Sequence, residues 1–101
     1  MVARVRLRAA ADADLAAILD YSAAHFGSAV AEDYLRSFDQ AFTLLERHPQ
    51  AGPLRTDISP AVRCLPHRSH RIFYDVEGET IWIVRVLHHA MDAARWLEPP
   101  V

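Results

Sequence analysis

The 101-residue chain has no lysine; its 11 basic residues are all arginine. Beside abundant alanine, that absence reads as a GC-rich coding bias rather than a functional device. A single cysteine, Cys64, rules out an internal disulfide framework and fits a reducing cytosol. No run of about 18 apolar residues occurs, so no stretch reads as a membrane span. The opening MVARVRLRAAADADL puts arginine where a secretory signal needs an apolar centre. The chain is therefore expected to stay in the cytoplasm. Basic excess is missing too: the net charge is −2, which argues against a protein built to grip nucleic acid, and no direct sequence-specific nucleic-acid binding is expected.

What is present is a normal globular balance, 51% hydrophobic and 24% charged, sized for one domain and one modest core. Charge is uneven. Residues 1–50 hold 5 Arg against 7 acids, and residues 51–101 hold 6 Arg against 6 acids plus four of the six histidines.

The stretch organising the rest is Thr80 to Asp92, TIWIVRVLHHAMD. Ile81, Trp82, Ile83, Val84, Val86 and Leu87 make a strand apolar on both faces, hence internal to a sheet. Arg85 interrupts the run, and an ion pair with Asp75 or Asp92 is the structural way to accommodate it. Presentation to a partner is the functional way, and the two are compatible. His88 and His89 are expected on opposite strand faces, which argues against a shared metal; no cofactor is expected.

Upstream, residues 2–8 alternate: Ala3, Val5 and Leu7 face one way, Arg4, Arg6 and Arg8 the other. The arginine row is either a solvated face that discourages edge pairing or a docking stripe for an acidic partner. Residues 9–26 read as a helix with Leu15, Ile18, Leu19, Ser22 and Phe26 on its apolar face, stopped by Gly27. Ser28 can cap a second helix, whose face is Tyr34, Phe38, Ala41, Phe42 and Leu45 and which ends near His48 because Pro49 follows. Tyr21 and Tyr34 flank this hairpin, as core or as groove. Residues 49–60 read as an irregular loop with Arg55 in solvent. Residues 61–66 form a strand ended by Pro66, and 69–76 a second strand. Arg71, Phe73 and Asp75 share one of its faces; His70, Ile72, Tyr74 and Val76 share the other. Glu77-Gly78 turns into the apolar strand, so the three strands form a meander. His67 and His70 read as surface residues, and Cys64 as a small buried hydrophobe. After Asp92 a short helical turn is stopped by Pro99. Trp96 either folds back on the sheet or stands out as an anchor. The expected fold is α+β and two-layered, β-α-α-β-β-β, an antiparallel helix hairpin against a mainly antiparallel sheet. The N-terminal strand is expected beside the apolar last strand.

This order resembles the ParE/RelE superfamily of bacterial toxins over essentially residues 1–101, read as one toxin domain. The resemblance is carried by His48-Pro49 followed by Gly52, the Arg63 strand, Arg71-Ile72-Phe73-Tyr74, and Ile83-Val84-Arg85-Val86-Leu87-His88 followed by Met91-Asp92. The ending is similar to the ParE branch. That resemblance implies the toxin of a type II toxin–antitoxin system, which inhibits DNA gyrase, blocks replication and is silenced by a ParD-like antitoxin. It implies target contacts at Arg63, Arg71, Arg85, His88, Met91, Asp92 and Trp96. Antitoxin contacts are expected at Arg4, Arg6, Arg8, Tyr34 and Phe38. The RelE branch cleaves mRNA on the ribosome, which needs a base, an acid and cations on phosphate. The sequence departs from that branch, with no lysine and no tyrosine after Tyr74. A reduced nuclease site of Arg63, Arg71, Arg85 and His88, or an inactive relative that only binds antitoxin, are the alternatives. The expected mode is binding, not catalysis.

Overall fold

The computed structural model describes residues 3–97. Alternation produces the short edge strand β1 (Arg4–Leu7), with Ala3 and Val5 turned inward. Alanine-rich sequence follows as α1 (Ala9–Phe26), which buries Ala11, Ile18 and Ser22. Gly27, at φ +88, is the whole connection to α2 (Ser28–Arg47). That left-handed backbone costs glycine little and other residues more. A joint this short leaves Ser28 inside the helix, so the expected serine cap does not form; the cap position is Gly27, with no side-chain hydrogen bond. α2 buries Phe38, Ala41 and Leu45 with Tyr34 and Phe42 half-buried, the face expected from its periodicity. Phe26 departs from expectation. It ends α1 at the hairpin tip and is 63% exposed.

The loop after α2 carries an unexpected two-residue strand, β2 (Leu54–Arg55), paired with β3 (Val62–His67). Arg55 is not free in solvent: its Nε and Nη2 donate to Asp57 at 2.8 and 2.7 Å. Nor does Pro66 end β3. β2 pairs only with Val62 and Arg63, so Pro66 lies at an open edge, where its missing N–H is tolerated. β4 (His70–Glu77) and β5 (Thr80–His88) complete a five-stranded sheet of order β1-β5-β4-β3-β2. All neighbours are antiparallel except β1, which joins β5 in parallel through Arg4↔Thr80 to Leu7↔Ile83.

Two cores result. Ile72, Tyr74, Ile81, Ile83 and Val86 pack under the hairpin with Phe38 and Leu45. On the opposite face Phe73, Leu87, Cys64, Val62 and Ile58 pack with Ala93 of α3 (Ala93–Leu97). A bulge reconciles β5 with both. Phe73 faces Arg85 while Tyr74 faces Ile83, leaving Val84 as the extra residue. Strict alternation would put Arg85 on the same face as Ile81 and Ile83. The extra residue shifts parity, so Val86 joins the helix-side core and Arg85 leaves it.

The loop 48–53 is pinned to the core. Tyr74, fully buried, donates its phenol to the Pro49 carbonyl at 2.8 Å and accepts the Gly52 N–H at 2.8 Å. A Cβ on Gly52 would sit 2.8 Å from the Cys64 carbonyl and from the Tyr74 ring, so only glycine fits. No described helix is long and apolar enough to cross a membrane. Pro99, expected to stop the last helix, lies outside the described residues.

Candidate functional site

β1 ends at Leu7, so the N–H groups of β5 beyond Ile83 lack a strand partner on that side. Asp14 of α1 fills the gap. Its Oδ2 accepts the Val86 N–H at 2.9 Å, and its two oxygens accept Nε and Nη2 of Arg85, each at 2.8 Å. This bidentate pair is 14% exposed at Asp14 and 20% at Arg85. It replaces the expected pairing of Arg85 with Asp75 or Asp92, because the bulge sends the side chain round the sheet edge to α1. The carboxylate raises the Arg85 pKa above its already high value, hydrogen bonding outweighing burial. The third nitrogen, Nη1, reaches the Trp96 carbonyl at 3.3 Å, and the guanidinium lies 5.7 Å from the Trp96 ring centroid. Trp96 therefore folds back yet stays 47% exposed.

Beside this clip a groove of about 530 Å³ runs between α1 and the end of β5. Tyr21 and Ser22 form one wall, and His70, His88 and Met91 the other. His67, His70 and His88 are register partners across β3, β4 and β5, a row the one-dimensional sequence does not reveal. Burial, reinforced by the neighbouring His88, His67 and His89, pushes the His70 pKa down to about 4, so the ring is neutral at physiological pH. Burial also raises the Tyr34 phenol pKa. Tyr34 Oη and His70 Nδ1 share a hydrogen bond at 2.6 Å. Burial, then Arg68, lowers the His67 pKa. His67 Nε2 lies 2.8 Å from Ser37 Oγ, tying the row to α2. Among the described residues no set of three or more His, Cys, Asp or Glu is arranged to hold a metal ion. His88 and His89 do not diverge as expected. β5 stops at His88, and their rings lie 4.4 Å apart.

The remaining predicted target contacts separate. Arg71 faces Leu87 near the groove end of the sheet, and Asp92 is exposed ahead of α3. Arg63 lies on β3 opposite Tyr74, where its Nη1 donates to the Gly52 carbonyl at 2.8 Å and braces the pinned loop. Arg85, His88, Met91 and Trp96 thus gather at one end of β5, and Arg63 does not join them.

A second groove, about 630 Å³, opens between the hairpin and β1. Val5, Leu7, Leu15, Leu19, Leu35 and Phe42 make it apolar, and Glu32, Arg36 and Asp39 edge it. Phe38 lines it but is only 1% exposed, and Tyr34 lies elsewhere, against His70. The outer amide of Val5 is occupied by Glu46 Oε2 at 3.0 Å, which blunts the sheet edge. Arg4 and Arg6 of the same strand, and Arg8 just past its end, lie on the far face, with Arg8 4.0 Å and Arg6 5.6 Å from the Trp82 ring centroid. Asp14, Tyr21 and His70 were missed as site residues because only the register and the bulge bring them to the end of β5.

Residues 5–93 match a family model described as the ParE toxin of type II toxin-antitoxin system, parDE. The chain is 41% identical to Toxin ParE1 of Mycobacterium tuberculosis over 96 residues, 94% of this chain and 98% of that protein. It is 35% identical to Toxin ParE1 of Caulobacter vibrioides over 88 residues, 87% of this chain and 91% of that one. A solved chain from the chromosomal ParDE TA system of P. aeruginosa superposes with a TM-score of 0.75, covering 86% of this chain and 96% of that one. At 24% identity, that likeness bears on the fold alone.

Proposed function

The chain belongs to the ParE toxin family of type II toxin–antitoxin systems, and from that premise we propose that it inhibits DNA gyrase and so blocks replication until a ParD-like antitoxin binds it. The observation that carries the reading is the end of β5. Arg85 is locked by Asp14 and touches an exposed Trp96, beside a groove flanked by His88 and Met91. Rigid arginine and tryptophan are the residues that dominate protein–protein binding energy. Arg71 and Asp92 extend this target surface.

A nuclease draws less support from the same residues. Arg85 is committed to Asp14 and Arg63 to a loop carbonyl, so neither is free to neutralise a scissile phosphate. The toxin works by binding rather than catalysis, in the cytoplasm where gyrase and its DNA are.

The antitoxin occupies the apolar groove between the hairpin and β1 as a hetero-oligomeric partner. An amphipathic segment seats its apolar side chains on Leu15, Leu19, Leu35 and Phe42. Acidic residues wrap the β1 edge to reach Arg4, Arg6 and Arg8. Tyr34 and Phe38 support this seat from beneath rather than by broad contact.

The test is a pulse-label in bacteria after inducing the chain alone, following thymidine and methionine incorporation together. Gyrase inhibition predicts that DNA synthesis stops first and that Trp96→Ala delays the arrest. Protein synthesis collapsing first would reject the proposal for the ribosome-dependent nuclease.

A further inference from the structure

Among the described residues, α3 and the 56–61 loop cover the sheet face opposite the helices over β3, β4 and the end of β5. Its remaining half is cationic and aromatic. Arg4 and Arg6 of β1 project there, and Arg8 continues the alternation in extended backbone just past the strand, about 6.7 Å apart at the usual strand rise. Trp82 lies under Arg6 and Arg8, and three positions along β5 Arg85 stands beside the half-exposed Trp96. The acids at its border are Asp75, register partner of Trp82, Glu77, 3.8 Å from Arg8 with both side chains well exposed, exposed Glu79, whose carbonyl accepts the Arg4 N–H, and Asp14, paired with Arg85. Among the described residues Arg4 and Arg6 make no ion pair. In a chain of net charge −2, this concentration of arginine is local, not compositional.

We propose that this face, Arg4, Arg6 and Arg8 with Trp82 and Trp96, binds the sugar–phosphate backbone of single-stranded nucleic acid without sequence preference. Evenly spaced guanidiniums on an extended strand suit a line of phosphates, and adjacent indoles suit unstacked bases. A five-stranded sheet, with strands about 4.8 Å apart, is broader than a major groove about 12 Å wide, so a single strand suits this face better than a duplex. The inference rests on the toxin reading, in which the chain acts at gyrase bound to DNA. The antitoxin, wrapping the β1 edge, competes for the same guanidiniums.

The test is fluorescence anisotropy of a labelled oligothymidylate of about 20 nucleotides, titrated with the full-length chain. Three phosphate contacts, at about −0.7 each, predict a log–log salt slope near −2, hence about 20-fold weaker binding when salt rises from roughly 50 to 200 mM. Replacing Arg4, Arg6 and Arg8 together by Gln should flatten the slope and weaken binding at least about tenfold at the lower salt. Lysine at the same three positions should keep the slope, which separates charge from folding. Trp96→Leu should lower affinity about tenfold with the slope unchanged. An equal-length duplex should bind more weakly, and oligouridylate about as well as oligothymidylate. No binding at low salt would overturn the proposal. So would a slope untouched by the Gln variant, or tighter binding of polyglutamate than of oligothymidylate, which would make the face a peptide site. A chain that arrests gyrase yet ignores the oligonucleotide would sink this inference alone.

Discussion

Replacing Asp14 by Ala removes the acceptor of three hydrogen bonds, two from Arg85 and one from the Val86 amide. Deleting one partner of a fully buried pair costs about 3–5 kcal/mol. Here the side chains are 14% and 20% exposed, and water can reach the stranded guanidinium, so the expected loss is about 2–3 kcal/mol. For a chain of this size that is a drop in Tm of roughly 10–20 °C. Asp14→Asn keeps an acceptor for Val86 but faces Arg85 with a neutral group, and should lose about half as much. Arg85→Met keeps the aliphatic stem and leaves Asp14 its amide donor, so about 1–2 kcal/mol is expected. The decisive quantity is the coupling in the double-mutant cycle of Asp14→Ala and Arg85→Met. Measured by urea denaturation followed by circular dichroism, it should reach at least about 1.5 kcal/mol. It should also change little between low and high salt, because the pair is mostly shielded. Additivity within about 0.5 kcal/mol would refute the clip and leave the contacts energetically idle.

Other outcomes follow from the same contacts. His70 titrates near 4 when folded against about 6.5 unfolded, so between those values the unfolded chain binds more protons and stability falls as pH drops through the window. Discounted for the partial exposure of the ring, the loss is about 1–2 kcal/mol, and His70→Gln should flatten the urea midpoint against pH there. Gly52→Ala should destabilise by about 1–3 kcal/mol, because its Cβ meets backbone and a buried ring; an unchanged Tm would contradict the close approach. Tyr74→Phe strands the Gly52 amide at a cost of about 1–3 kcal/mol, read by the same melts. Phe26→Ser, at an exposed helix end, should shift stability by no more than about 0.5 kcal/mol. Burial raises the Cys64 pKa, so a thiol reagent should label it only as fast as the chain opens.

Most of the fold can be read from one dimension because its signals are local. Alternation marks β1 and β4, helical spacing marks the core face of α2, and Gly27 and Gly78 mark two turns with positive φ, whereas the positive φ at Arg68 has no glycine to mark it. What escapes is set by pairing between distant segments. A single extra residue at Val84 changes where Arg85 points, and with it the identity of its partner; nothing in the spelling of TIWIVRVLHH marks a bulge. The histidine row is likewise a product of register, joining positions 67, 70 and 88. Phe26 misleads for the opposite reason. Periodicity places it correctly on a face, but the hairpin ends before anything covers that turn. Of the candidate site, Arg85, His88, Met91 and Trp96 lie close together in the sequence, whereas Asp14 and Tyr21 enter from a helix more than 60 residues earlier.

Parallel docking of β1 on β5 has a consequence for when the toxin exists at all. Residues 4–7 find their partners only at residues 80–83, and Asp14 waits for Arg85 and Val86. Contacts of such sequence separation form late and slow folding. At about 5–20 residues per second, a ribosome needs several seconds to reach the last strand. Until then the N-terminal strand has no sheet to join and the hairpin no floor to cover. A prematurely terminated product lacking β5 should be inert and protease-sensitive rather than weakly toxic. Synthesis itself thus imposes a delay between the start of translation and the first folded, active copy.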